Sequence, residues 1–208
     1  MAEPALITRR AAPSIRAPIV GQLALGTPRA VAGWVAGDEV SPDNPTWAQL
    51  DDHTFLYSAE LRPLDLPGPP AVPTDAPTTG RWIDVNLTQQ VVVAYAGRTA
   101  LRLARTSTGR PGWETMPGVY TIQRRAASDT MTSSSLLGRD ARRASYTIPH
   151  VRWTQYFSDD GKALHENYWK PRDEFGIPSS HGCAGLVAED AKFFWDFATV
   201  GTWVLVHP

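Results

Sequence analysis

The stretch ALHENYWKPRDEFGIPSSHGCAGL, residues 163–186, contains the only cysteine of the chain and two of its five histidines. If the backbone is extended before Cys183, the side chain of His181 points to the same side as the thiol. A thiol becomes a strong nucleophile as the thiolate, and a histidine within hydrogen-bond reach supplies the base. His181 and His165 are the two candidate bases, and the N–H groups of Gly182 and Cys183 are candidate oxyanion donors. The segment therefore supports the hypothesis of a nucleophilic cysteine.

Two other interpretations of Cys183 stay open on residue chemistry alone. A lone cysteine is usually a small packing residue, although a loop punctuated by glycine and proline is not typical of a core strand. His165, His181 and Cys183 are also three possible ligands of a metal ion with one open position. A single cysteine excludes an internal disulfide and a zinc site with two or more thiolates.

The composition is that of a folded globular protein. Of the 208 residues, 42 % are hydrophobic and 20 % are charged, and the net charge is -1. This charge argues against a nucleic-acid partner. No apolar run approaches the roughly 18 to 20 residues that cross a bilayer, and no signal peptide is visible. We therefore expect no transmembrane segment, and we expect the chain to be a trimmed part of a longer protein.

Prolines divide the chain. Six of its 18 prolines lie between Pro63 and Pro77, where fixed φ angles and missing N–H donors favour an extended connector. The sequence predicts a module over 15–64, a Pro-rich linker over 65–79 and a larger domain over 80–208. Residues 30–64, AVAGWVAGDEVSPDNPTWAQLDDHTFLYSAELRPL, resemble bacterial SH3-like domains. Short strand-like runs separated by turn clusters fit a small β-barrel there.

The larger domain is predicted to be mainly β. RWIDVNL and QVVVAYAG indicate a hairpin, TALRLART a third strand, and MPGVYTI, HVRWTQYF, KALHENYW and TWVLVHP further strands. Residues 124–146 are polar and are interpreted as a long loop or lid. Residues 188–198 form the one segment with helical periodicity, with Glu189 and Asp190 in the first turn.

His165 and the downstream Ser180-His181-Gly182-Cys183 motif, followed by a helix and a Gly-Thr-x-Val strand, resemble the catalytic domain of YkuD-type L,D-transpeptidases. These are enzymes of bacterial cell-wall synthesis. The resemblance extends over about residues 80–208, where RWIDVNLTQQVVVAYAGRTALRLARTSTG is similar to the opening hairpin of the family and PGVYTI to its next strand. It implies a β-sandwich-like domain with one main helix.

The resemblance also implies roles for individual residues. Cys183 would be the nucleophile and His165 its base, with the backbone carbonyl of Glu166 orienting the imidazole. His181 would shape the motif loop and contact the substrate, and the N–H groups of Gly182 and Cys183 would stabilise the oxyanion. Five residues are expected to contact the substrate: Ser180, Glu166, Tyr156, Trp169 and Arg172.

Two positions depart from the family pattern. Glu166 stands where the family usually has glycine, and Gly185 stands where it usually has asparagine or arginine. The first change places a carboxylate beside the base, and the second removes a side chain near the nucleophile. We expect these departures to affect substrate preference more than reaction class.

The implied activity is that of a peptidoglycan L,D-transpeptidase that forms 3-to-3 cross-links through a cysteine thioester. The same site with water as acceptor would make a carboxypeptidase or a hydrolase of wall peptides, and a domain without turnover would make a wall-binding protein. The expected partners are peptidoglycan stem peptides, with carbapenem-type β-lactams as inhibitors. Neither a metal nor an organic cofactor is expected, because thiolate, base and oxyanion donors complete the acyl-transfer set. We expect a monomer that acts in the cell wall or periplasm.

Overall fold

The computed structural model describes residues 6–24, 27, 29–62, 71–74, 76–133 and 146–208. Within them it contains three sheets and one α-helix, which confirms a mainly β protein with one helix. The strands are β1 Leu6–Arg10, β2 Ile19–Ala24, β3 Val31–Ser41, β4 Asn44–Leu50, β5 Phe55–Tyr57, β6 Arg81–Asn86, β7 Val91–Ala96, β8 Thr99–Arg105, β9 Gly118–Thr121, β10 Arg124–Thr132, β11 Thr147–Tyr156, β12 Ala163–Glu166, β13 Ala184–Leu186 and β14 Trp203–His207. The helix α1 is Ala188–Phe197, one residue shorter than predicted.

The N-terminal part forms one five-stranded antiparallel sheet in the order β2-β1-β5-β4-β3. Leu23, Leu50 and Leu56 bury their side chains together on it. Strand β1 lies within this sheet, so the predicted start of the module at residue 15 leaves out its first strand. The short LITRR run of β1 offers little alternation to detect. Closure of the sheet into an SH3-like barrel stays a prediction.

The larger domain begins with a second five-stranded sheet, in the order β8-β7-β6-β14-β9. The predicted hairpin of β6 and β7 is confirmed, and β14 joins β6 in parallel. Trp82 and Tyr95 stack at 4.5 Å on the outer face of this sheet. Ala76, from the predicted linker, is buried against them. Residues 63–70 and 75 of that connector region lie outside the described residues.

The third sheet, in the order β10-β11-β12-β13, carries the segment that contains the candidate catalytic residues. The inner faces of the second and third sheets and helix α1 share one core. Phe194 and Phe197 of the helix pack there beside Leu164 and Leu186. The interior is therefore continuous from the opening hairpin to the strands that carry His165 and follow Cys183.

The predicted lid over residues 124–146 is wrong in its first part. Arg124–Thr132 is strand β10, which pairs with β11 over most of its length. β10 is the edge of its sheet and most of its residues are exposed or half-buried, so backbone pairing forms the strand while its polar side chains remain accessible. Arg125 also stacks on Trp195 of the helix, at 3.8 Å. Residues 134–145 of the predicted lid lie outside the described residues.

The N-terminal sheet contacts the loops of the larger domain. Trp34 donates its indole N–H to the carbonyl of Thr88 at 3.2 Å, and the buried Thr46 hydroxyl donates to the carbonyl of Pro178 at 3.3 Å. Pro178 lies two residues before the candidate catalytic motif begins at Ser180. The sheet therefore supports the loop that leads into this motif.

Candidate active site

The parallel pair β12 and β13 brings the two halves of the site together. Leu164 lies opposite Ala184 and His165 lies opposite Gly185, while Cys183 comes directly before β13. Side chains alternate along a strand, so Ala163 and His165 share one face of the sheet. Cys183 packs into the cluster that contains Ala163 on this face. Strand pairing thus places the thiol and the imidazole on the same side.

The environment of Cys183 favours the neutral thiol. The residue packs beside Tyr156 and Tyr146 in a mostly apolar cluster. Burial raises the pKa of the thiol to about 11, although a backbone hydrogen bond from Ala163 and the charge of Lys162 act in the opposite direction. At neutral pH the thiol therefore keeps its proton until a base removes it.

His165 is oriented to act as such a base. Its side chain is only 4 % exposed, and Nδ1 donates to the carbonyl oxygen of Glu166 at 2.6 Å. Burial lowers the pKa of His165, which keeps the imidazole neutral near pH 7. With the proton on Nδ1, the lone pair of Nε2 is available to accept another. Trp169 stacks over the ring, with centroids 5.9 Å apart.

Hydrogen bonds within the Ser180–Cys183 loop define its shape. The Ser180 hydroxyl accepts from the N–H of Gly182 at 3.0 Å and donates to the carbonyl of Cys183 at 2.6 Å. Thr115 donates to the carbonyl of Gly182 at 2.7 Å. The Ser180 hydroxyl was expected to contact the substrate and the Gly182 N–H to stabilise the oxyanion. In the structure these two groups are hydrogen-bonded to each other. Within the described part of the chain, no backbone acceptor takes the N–H of Cys183, which leaves it as the amide donor beside the candidate nucleophile.

His181 lies in an aromatic setting rather than in the place of the base. Its ring meets Trp113 edge-on at 4.7 Å and Tyr146 at 5.0 Å. The guanidinium of Arg110 lies 3.3 Å from its Nε2, and the same guanidinium is 3.4 Å from Asp43 in the N-terminal sheet. These contacts fit a role in shaping the loop.

The two departures from the family pattern have structural counterparts. Glu166 is 1 % exposed and its carboxylate forms a two-point ion pair with Arg152 of β11, which corrects its expected substrate contact. At Gly185 an added Cβ would lie 2.9 Å from Nδ2 of Asn167. The Asn167 amide therefore occupies the space that a side chain at position 185 would need.

The other expected substrate contacts separate into two groups. Tyr156 is buried and donates its hydroxyl to Asp129 at 3.0 Å, and Arg172 pairs with Glu189 at the start of α1. The buried Tyr156 hydroxyl is therefore occupied by Asp129, whereas the Arg172 side chain is exposed despite its ion pair, so its contact with the substrate stays a prediction. Trp169 is 43 % exposed and stacks on His165, and its contact with the substrate stays a prediction.

Two residues near the thiol were missed from the sequence. Burial and the neighbouring Cys183 raise the pKa of Tyr146 to about 12, and the ring of Tyr146 also contacts His181. Lys162 is buried against Gly182. Tyr146 ends a polar segment and Lys162 precedes a strand, and neither position carries a recognisable motif.

The metal interpretation lacks its ligand set. Within the ranges that the structure describes, no three His, Cys, Asp or Glu side chains group closely enough to hold a metal ion. Over the same ranges, no helix is both long and apolar enough to cross a membrane.

Comparison with known proteins gives two findings. The family model "YkuD: L,D-transpeptidase catalytic domain" matches residues 80–206. No curated protein matches the chain by sequence.

Solved structures share the fold at low sequence identity. An L,D-transpeptidase from Mycobacterium smegmatis is 20 % identical, with a TM-score of 0.56 over 62 % of this chain and 58 % of that one. L,D-transpeptidase 3 from Mycobacterium tuberculosis, in complex with a faropenem-derived adduct, is 22 % identical, with a TM-score of 0.54 over 62 % and 60 %. This chain thus spans about three fifths of these relatives. The family model covers more than half of the chain, which therefore belongs to the YkuD family of L,D-transpeptidase catalytic domains.

Proposed function

We propose that the protein is a peptidoglycan L,D-transpeptidase that forms 3-to-3 cross-links through a thioester on Cys183. The observation that carries the proposal is the parallel pairing of β12 with β13, which puts the oriented imidazole of His165 on the face where the thiol lies. Family membership supplies the reaction class.

In the first half-reaction, the sulfur of Cys183 attacks the carbonyl carbon of the third residue of a tetrapeptide stem. Nε2 of His165 takes the thiol proton, and the N–H of Cys183 faces the oxyanion of the tetrahedral intermediate. The intermediate collapses as the C–N bond breaks, and His165 gives its proton to the departing D-amino acid. A thioester remains on the enzyme.

In the second half-reaction, the amine of a neighbouring stem attacks the thioester. His165 takes a proton from that amine, the C–S bond breaks, and the thiolate of Cys183 recovers the proton. The cycle needs no cofactor, and each proton that His165 accepts is returned. Water in place of the amine turns the same cycle into hydrolysis, so the acceptor decides between transpeptidase and carboxypeptidase.

The proposed substrate also sets the place of action and the inhibitors. Stem peptides are components of the cell wall, so we place the protein in the cell wall or periplasm. One L,D-transpeptidase of similar fold was solved in complex with imipenem and another with a faropenem-derived adduct. We propose that carbapenem-type compounds acylate Cys183 here as well, because a strained cyclic amide offers the thiol an electrophilic carbonyl.

The test is incubation with tetrapeptide-containing muropeptides, followed by mass spectrometry of the products. A 3-to-3 dimer with release of the terminal D-amino acid is the expected result, and it should disappear in Cys183→Ala and His165→Ala. His53→Asn is the matched control, since His53 is exposed and asparagine tolerates its φ of 60°. Tripeptide without dimer would assign a carboxypeptidase, and unchanged muropeptides with a folded protein would contradict turnover.

A further inference from the structure

Lys162 is a buried cation that no step of the mechanism above uses. It lies directly before β12 and is 6 % exposed. Its N–H donates to the hydroxyl of Ser158 at 3.0 Å, and its carbonyl accepts from the N–H of Phe157 at 3.0 Å. A buried ammonium carries a desolvation cost unless it serves a partner. The two hydrogen bonds hold the backbone of Lys162 in place, and the desolvation cost of its buried ammonium must be offset by a neighbouring charged or polar group.

The alkyl chain of Lys162 crosses the catalytic motif. A Cβ at Gly182 would lie 2.5 Å from Cε of Lys162 and 3.1 Å from its Cδ and Cγ. Gly182 itself has a φ of +113°, which side-chain-bearing residues rarely adopt. Glycine at position 182 therefore permits both the positive φ and the close approach of the Lys162 side chain to the residue that precedes the nucleophile.

Among the residues that the structure describes, the ammonium has one close counter-ion, Asp160, which is itself partly exposed. Although burial acts to raise the pKa of Asp160, hydrogen bonds from Lys162 and Ser158 lower it, so the carboxylate is ionised at neutral pH. Lys162 acts to lower the pKa of the Cys183 thiol and Asp160 acts to raise it. The two charges therefore oppose each other at the nucleophile.

The other titratable groups described around the Cys183 thiol are neutral, so the charges that act on it are those of Lys162 and Asp160. Tyr146 and Tyr156 lie in the same cluster as Cys183, and burial raises the pKa of each to about 12, so both are neutral across the working range. His165 is neutral because burial lowers its pKa. Among the described residues, Lys162 and Asp160 are thus the ionised side chains that act on the thiol.

We propose that Lys162 is a positioning residue that stabilises the negative charge formed on Cys183, and that Asp160 limits how much of the lysine's field reaches the sulfur. The proposal rests on Cys183 being the nucleophile proposed above. It predicts opposite effects from removing the two members of one ion pair, which a merely structural salt bridge would not produce.

The test is the pH profile of Cys183 alkylation by iodoacetamide, followed by intact-protein mass spectrometry on the full chain. Lys162→Met should move the profile to higher pH and slow alkylation at pH 8 by roughly tenfold, the effect of about one pKa unit. Asp160→Asn should move it to lower pH and speed alkylation. Lys192→Met, which breaks an exposed lysine–aspartate pair on the helix, is the matched control and should leave the profile unchanged.

Lys162→Arg keeps the charge and should keep the profile, which guards against a Lys162→Met variant that fails to fold. Shifts in the same direction for Lys162→Met and Asp160→Asn, or a folded Lys162→Met protein with the wild-type profile, would overturn the proposal. Alkylation reports the thiol alone, whereas cross-linking reports the enzyme. Loss of muropeptide products with intact opposite shifts would therefore contradict the proposed function and leave the role of Lys162 standing.

Discussion

Gly185 offers a sharp test of how this domain accommodates its departure from the family pattern. Substitution by alanine places a methyl group 2.9 Å from Nδ2 and 3.2 Å from Cβ of Asn167, where carbon contacts normally need about 3.5 to 4.0 Å. The backbone cannot retreat easily, because Gly185 exchanges two hydrogen bonds of 3.1 Å with Ser107 and its carbonyl also accepts from Thr106 at 2.9 Å. Asn167 must therefore move.

The expected cost follows from this geometry. Overpacking in a well-packed interior costs about 1 to 3 kcal/mol of the free energy of unfolding, and the tethered backbone of Gly185 favours the upper half of that range. For a chain of this size, about 2 to 4 °C of Tm is lost per kcal/mol. We therefore expect Gly185→Ala to lower the Tm by roughly 4 to 12 °C, and to reduce acyl transfer because His165 lies opposite on β12.

Thermal unfolding of a set of variants checks the argument. Asn167→Ala removes the obstructing amide, whose Oδ1 is buried without a partner among the described residues, so it should cost little. The double variant Gly185→Ala/Asn167→Ala should regain about 1 to 2 kcal/mol relative to the sum of the single variants. Gly33→Ala is the control, because its added Cβ meets nothing within 4 Å. A Gly185→Ala Tm within 1 °C of wild type, or strictly additive losses, would refute the reasoning.

Three further predictions concern the reacting groups and their support. Acylation of Cys183 by a carbapenem should add the mass of the drug in intact-protein spectra, and a folded protein without adduct after long incubation would contradict an accessible nucleophile. The pH profile of that acylation should have its acid limb below pH 6.5, because burial lowers the pKa of His165 from that value; below this limb the imidazole is protonated and cannot take the thiol proton. In His165→Ala the rate should instead climb steadily toward the thiol pKa of about 11, and a plateau near neutrality would count against His165 as base. Thr115→Val leaves the carbonyl of Gly182 and the N–H of Gly109 without their shared partner, so we expect about 1 to 3 kcal/mol less stability by denaturant unfolding and slower acylation, with wild-type behaviour as the contrary result.

Local pattern was enough to predict much of the strand framework. The hairpin of β6 and β7, strand β14 and helix α1 were all predicted close to their observed bounds. Continuous apolar runs are typical of strands buried on both faces, as these strands are, and helical periodicity indicates the face of α1 that packs in the shared core. β10 was missed because it lies at a sheet edge and buries little. Its formation depends on the partner strand β11, which is not local information.

The sequence by itself determined the family, because residues 80–206 match the model of the YkuD L,D-transpeptidase catalytic domain. Only the tertiary structure decided which polar groups near the thiol are free to act. Arg152 neutralises Glu166, and Asp129 holds the hydroxyl of Tyr156. Each of these partners lies on another strand, and hydrogen bonds and ion pairs between strands depend on register and distance in space. The order and spacing of residues along the chain identify the motif. Which of its polar groups already have hydrogen-bond partners depends on how the strands pack.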